Sequence, residues 1–198
     1  YPKDGFIKLD MSEYRDSSSI PKIIGSPPGY VGYDDRNTIL ERVKLHPYSV
    51  LLLDEIEKAD SKVLKLFLQV LDDGIMTTSY GDVVSFRNCV IFMTSNLGFD
   101  KKSIGFINHE QTIIFDKLKS FLGVELFNRF DAAILFRNLS EKDIEKIISN
   151  KIKQRYPDIS LRQLREFVDS IKKQSDYLNF GARKIDKLLE SSDFEYSS

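Results

Sequence analysis

Residues 50–60, VLLLDEIEKAD, constrain the fold more than any other stretch: an apolar run that stops on two adjacent carboxylates. Val50, Leu51, Leu52 and Leu53 follow one another without alternation, the pattern of a strand buried on both faces of a parallel sheet. Asp54 and Glu55 then fall at its carboxyl end, where open α/β sheets bind their ligands. Side-by-side carboxylates raise one another's pKa unless a cation separates them. A hard divalent ion does this, and Mg²⁺ is usually held by one or two carboxylates plus substrate phosphates. The second carboxylate is left to orient or deprotonate a water. An ordinary exposed strand end reads the same way, so the rest of the chain must decide.

A chain of 198 residues has room for one large domain or one and a half, with a sizeable core. Its 29 basic residues nearly cancel its 30 acidic ones, which speaks against a generally basic nucleic-acid binder and against an acidic disordered tail. A single cysteine, Cys89, excludes an internal disulfide framework and points to a reducing compartment. It lies in an apolar segment and is expected to pack rather than react. Two scattered histidines, His46 and His109, do not make a metal site. No apolar run approaches the roughly 18 residues of a membrane span.

Taken in order, residues 6–9 read as a short strand and 18–24 as helical. Residues 25–33, GSPPGYVGY, are a loop, because two prolines and several glycines preclude regular structure. Tyr30 and Val31 stand there among glycines, either tucked against the domain or exposed as an aromatic grip for an extended polypeptide. Tyrosine suits the latter, offering large contact area at low entropy cost. Helices are expected over 39–46 and 62–72, the latter stopped by Asp73-Gly74. A hairpin follows at 75–87, turning at Tyr80-Gly81-Asp82. Residues 88–94 form a second doubly buried strand, ending on Ser95 and Asn96. An uncharged amide there can hold a water or a phosphate oxygen without repelling either; it can equally help turn the chain. Ile104-Gly105-Phe106 is an apolar triplet in a polar loop, suited to a partner's pocket or to anchoring the loop. Residues 113–121 are helical, 132–136 a strand, and Ser140-Glu141-Lys142-Asp143 a capping box heading a helix to about 155. Further amphipathic helices are expected at 161–174 and 182–190. The expected division is 1–138, an α/β domain, and 139–198, a smaller helical one.

Together these stretches resemble the second ATPase module of Clp-type AAA+ protein unfoldases. The matching segments are IKLDMSEY, IGSPPGYVGY, HPYSVLLLDEIEKA, FLQVLDDG, FRNCVIFMTSNLG, LFNRFD and FGAR, spread over residues 6–190. The resemblance implies a P-loop-type parallel sheet plus a small helical domain, with ATP and Mg²⁺ as cofactors. By it, Asp54 is the Walker B carboxylate on the Mg²⁺ side and Glu55 activates the hydrolytic water. Asn96 is sensor 1, holding that water against the γ-phosphate. Arg129 is the arginine finger that reaches a neighbouring subunit's nucleotide, and Arg183 is sensor 2. Tyr30 and Val31 form the pore loop that grips substrate polypeptide. Arg129 implies a homo-oligomeric ring, usually a hexamer. Ile104, Gly105 and Phe106 match the tripeptide by which peptidase-associated members dock on a Clp-type peptidase, favouring a ClpA- or ClpC-like unfoldase over a disaggregase.

One departure matters: the Walker A loop, Gly-x-x-x-x-Gly-Lys-Ser/Thr, does not occur in the 198 residues. Without its amides and lysine little holds the β- and γ-phosphates. The strand leading into that loop belongs mid-sheet beside the sensor 1 strand, and its loss exposes central strand edges. The expectation is therefore an excerpt of a longer chain, a sheet incomplete at its N-terminus, with little ATPase by itself. Two other readings stand: a nucleotide-independent structural ring subunit, and a nucleic-acid motor, which balanced charge and an aromatic pore loop disfavour. Neither nucleic acid nor membrane is an expected partner. The expected location is cytoplasm or a plastid-type stroma.

Overall fold

The computed structural model describes residues 3–33, 37–97, 107–137, 139–173 and 186, apart from the side chains of 3 and 107–111. The chain divides into two compact units, Tyr1–Ile134 and Leu135–Ser198.

The first unit holds five strands, β1 (Phe6–Asp10), β2 (Val50–Asp54), β3 (Ile75–Thr77), β4 (Val83–Ser85) and β5 (Val90–Met93). β1, β2 and β5 form a parallel sheet in that order, and β3 pairs with β4 as an antiparallel hairpin. The register sets Ile7, Leu51 and Ile91 in one row and Leu9, Leu53 and Met93 in another. Because side chains alternate along a strand, both rows face the same way, and Ile7, Leu51 and Leu53 are fully buried. The opposite face is not closed: Phe6 and Phe92 are 53% and 56% exposed. The double burial expected of β2 and of residues 88–94 is thus corrected to burial on one face. β5 is an outer strand among the described residues, and no layer covers its Phe92 side. Asn88 and Cys89 belong to the turn before β5, where the half-buried thiol has its pKa pushed up by burial.

Four helices flank this sheet: α1 (Pro21–Ile24), α2 (Ile39–Leu45), α3 (Ser61–Asp73) and α4 (Ile107–Phe127). α3 starts where the Asp60 carboxylate accepts from the Lys62 amide, and it buries Val63, Leu64, Phe67 and Val70 on one stripe. Gly74 stops it in the left-handed region (φ 68°), with Arg87 too close for any side chain there. α4 is longer than the expected 113–121, and Gly123 (φ 79°, ψ 153°) breaks it into two helical segments. Residues 132–136 are irregular rather than the expected strand. No neighbouring strand pairs with them among the described residues, and Ile134 and Phe136 are exposed.

In the second unit, α5 (Glu141–Arg155) and α6 (Leu161–Lys173) bury Ile144, Ile148 and Ile152 against Leu164, Phe167 and Ile171. Each such side chain removed from water contributes about 1.5–3 kcal/mol. The capping box forms as the sequence suggests, with Ser140 and Asp143 satisfying each other's amides. Lys172 on α6 pairs with Glu141 and Glu145 on α5. Of the helix expected at 182–190, only Asp186 lies within the described residues; it is helical and pairs with Lys151.

Candidate functional site

The carboxyl ends of β2 and β5 meet at one rim, and Thr94 joins them. Its amide donates to the Leu53 carbonyl at 2.9 Å, and its carbonyl accepts from the Ile56 amide at 2.9 Å. Its hydroxyl donates to Asp54 Oδ1 and accepts from the Glu55 amide at 3.0 Å. This clasp holds Glu55 in a left-handed backbone conformation (φ 58°, ψ 56°), the one non-glycine residue with positive φ among the described residues. Such a residue in the left-handed region costs roughly 1–2 kcal/mol, and strain of this kind persists where surrounding bonds impose it. The turn aims the Glu55 carboxylate toward β5, where Asn96 Nδ2 donates to Glu55 Oε1 at 3.1 Å. Asn96 is itself pinned, its amide donating to Glu57 Oε1 at 3.1 Å. Asp54, Glu55 and Asn96 are therefore joined through Thr94 in one hydrogen-bonded cluster at this rim, beside the crevice that open α/β sheets form beyond the carboxyl ends of their strands.

Lys8, across from β2 on β1, places its ammonium 2.8 Å from Asp54 Oδ2. Adjacent carboxylates are thus relieved by a lysine on one of them. Oxygen donors from Asp54, Glu55, Thr94 and Asn96 suit a hard cation such as Mg²⁺. Lys8 and Thr94 each engage one oxygen of Asp54. No group of three or more His, Cys, Asp or Glu residues forms a closed metal cage among the described residues. Beside Asn96 lies an open hollow of about 550 Å³, walled by Glu57, Lys58, Leu97 and, from α4, Lys117, Ser120 and Phe121.

The loop at 25–33 presents its apolar tip outward: Tyr30 is 69% exposed and Val31 fully exposed. Two successive turns build it, with the Tyr30 amide donating to the Pro27 carbonyl and the Tyr33 amide to that of Tyr30, both at 3.2 Å. Tyr30 and Val31 thus lie outside the packed core, whereas the base of the loop, at Ser26, is buried.

Arg129 follows the helical end of α4 and is half-exposed, its guanidinium paired with Asp72 at the end of α3. It does not join the Asp54–Glu55–Asn96 crevice within this chain. Arg183 and the Ile104-Gly105-Phe106 triplet lie outside the described residues. Sequence reasoning missed Thr94, Glu57, Lys8 and Asp72. Thr94 carried a usable signal, since it ends an apolar run just as Asp54 does; Lys8 stands as a lone cation inside a strand. Glu57 and Asp72 are ordinary surface charges until the fold places them.

The profile of the AAA domain (Cdc48 subfamily) matches residues 2–133. The chain is 42% identical over 200 residues to ClpE, the ATP-binding subunit of an ATP-dependent Clp protease from Bacillus subtilis (strain 168), covering 95% of this chain and 28% of that protein. Identity to the chaperone protein ClpB of Aquifex aeolicus (strain VF5) is 40% over 204 residues, covering 95% and 20%. A closed-state cryo-EM reconstruction of Hsp104 with ATPγS and FITC casein matches at a TM-score of 0.79 and 32% identity, over 94% of this chain and 34% of that one. The chain thus spans about a fifth to a third of the length of these relatives.

Proposed function

The chain belongs to the AAA domain family of the Cdc48 subfamily, in its Clp-type branch, and from that membership we propose that it is the sheet-and-sensor portion of an ATP-driven protein unfoldase. The observation that carries the reading is the convergence of Asp54, Glu55 and Asn96, clasped by Thr94. Glu55 orients and deprotonates the attacking water; Asn96 holds Glu55 and that water in line. Asp54 is the carboxylate on the Mg²⁺ side, fixed by Lys8 and Thr94. Mg²⁺, when bound, would supply charge neutralisation to the phosphates. These 198 residues contain no Gly-x-x-x-x-Gly-Lys loop.

Arg129 serves a neighbouring protomer's nucleotide, exchanging Asp72 for phosphate on assembly into a ring, and Arg183 reports nucleotide state from the second unit. Arginine fingers supply about 10³–10⁵ in rate where they complete other NTPase sites. Tyr30 and Val31 grip polypeptide in the pore of that ring, in keeping with the casein-bound relative. Ile104, Gly105 and Phe106 dock a Clp-type peptidase, the association carried in the name of the ClpE relative. A disaggregating chaperone is the second reading, in keeping with the chaperone name that the ClpB relative carries. The lone cysteine fits a reducing cytoplasm or plastid-type stroma.

The test uses the intact protein that carries this chain. Glu55→Gln should keep ATP binding and lower hydrolysis by about 10²–10⁴-fold, the usual worth of a general base. Tyr30→Ala should retain ATPase and lose unfolding of a stably folded substrate. Hydrolysis at the wild-type rate in Glu55→Gln, or unchanged unfolding in Tyr30→Ala, sinks the corresponding assignment.

A further inference from the structure

Tyr80, at the tip of the β3–β4 hairpin, touches the base of the aromatic loop, and we propose that it is the positioning residue that sets how Tyr30 and Val31 are presented to a polypeptide. The inference rests on reading residues 25–33 as a substrate grip. The rings of Tyr33 and Tyr80 meet edge to face, with centroids 5.9 Å apart and planes at 84°. On the loop's other side, a Cβ on Gly25 would fall 2.5 Å from the Tyr80 hydroxyl, and Gly25 has φ 89°. The chain therefore enters and leaves the loop against the same tyrosine. Backbone contacts reinforce the entry, since the Ser79 amide donates to the Ile24 carbonyl at 2.9 Å. Within the loop, the Ser26 hydroxyl donates to the Val31 carbonyl at 3.1 Å.

The hairpin is a firm base for this contact. The Thr78 amide donates to the Asp82 carbonyl at 2.8 Å, the Thr78 hydroxyl accepts from the Asp82 amide at 3.0 Å, and Lys44 on α2 pairs with Asp82 at 3.0 Å. From β4 the chain passes through Phe86, whose amide donates to the Gly74 carbonyl at 2.7 Å, and a short turn into β5, beyond whose end lies Asn96. Tyr80 thus ties the exposed grip to the strand that ends at the crevice. A loop held before it meets its partner loses less conformational freedom on binding.

Hydrogen exchange read by mass spectrometry on the intact protein tests this. Tyr80→Ala should speed exchange at residues 29–33 about two- to tenfold, the range expected from losing an edge-to-face ring pair, with α3 and β5 unchanged. Tyr80→Phe should exchange as wild type, because the ring contact does not need the hydroxyl. Tyr33→Leu removes the partner ring and should reproduce the local acceleration. With fluorescein-labelled casein, Tyr80→Ala should raise the polypeptide KM for ATPase stimulation by a similar factor and leave the unstimulated kcat alone. Unchanged exchange at 29–33 in both Tyr80→Ala and Tyr33→Leu, or equal acceleration in every peptide, overturns the proposal. If the loop's exchange responds while casein handling does not, Tyr80 positions the loop and it is the grip reading of residues 25–33 that fails.

Discussion

At the scale of single residues, the crevice depends on a hydroxyl more than on either carboxylate's own geometry. Thr94 accepts from Glu55 and donates to Asp54 in one stroke, so removing it frees two groups together. Thr94→Val keeps the shape and deletes both bonds. The expected cost is about 1–3 kcal/mol of stability, the net worth of two exchanged hydrogen bonds, measured by denaturant unfolding. Hydrolysis in the intact protein should fall roughly 10- to 100-fold with nucleotide affinity kept, because misplacing a base by even 1 Å is costly. Thr94→Ser should restore most of it. The position of Asp54, Glu55 and Asn96 at the rim of the sheet was legible because each follows an apolar run that reads as a strand. Lys8, Glu57 and Asp72 were not, since their meaning lies in partners 46, 39 and 57 positions away in the chain (Asp54, Asn96 and Arg129).

At the scale of elements, amphipathic periods and stop signals carried most of the information. α3, the β3–β4 hairpin, α5 and α6 follow from apolar spacing, Gly74 and the capping box. One failure has a plain cause: strandedness depends on a neighbour, so residues 132–136 read as a strand on composition alone yet have none to pair with among the described residues. α5 offers a pH test. Its Asp143 carboxyl is held well below the usual carboxylate range, first by the Arg137 guanidinium and then by the Ser140 hydroxyl and amide. A depressed pKa in the folded state contributes stability that is present above the ordinary aspartate value of about 3.9 and lost as pH falls below it. Helical circular dichroism followed from pH 7 to pH 2 should show α5 loosening only in the acid limb. Asp143→Asn should flatten that limb and lower stability at pH 7, whereas an unaltered acid limb would remove Asp143 from the account.

At the scale of the whole molecule, the α/β class and the presence of a second helical unit were readable, and the parallel strand order β1-β2-β5 agrees with the resemblance. What sequence could not supply was which side of each strand stays covered, because an unbroken apolar run looks alike whether one face or two are packed. Val90 and Phe92 on the outer strand show the difference. A strand that is outermost among the described residues and carries exposed apolar side chains is a template for another copy of itself. Studied by itself, the 198-residue chain should therefore scatter light increasingly with concentration and time, and Phe92→Lys should delay that turbidity several-fold. The outer position of β5 makes it adhesive, which ties this chain's shelf life in the tube to how well that edge is kept covered.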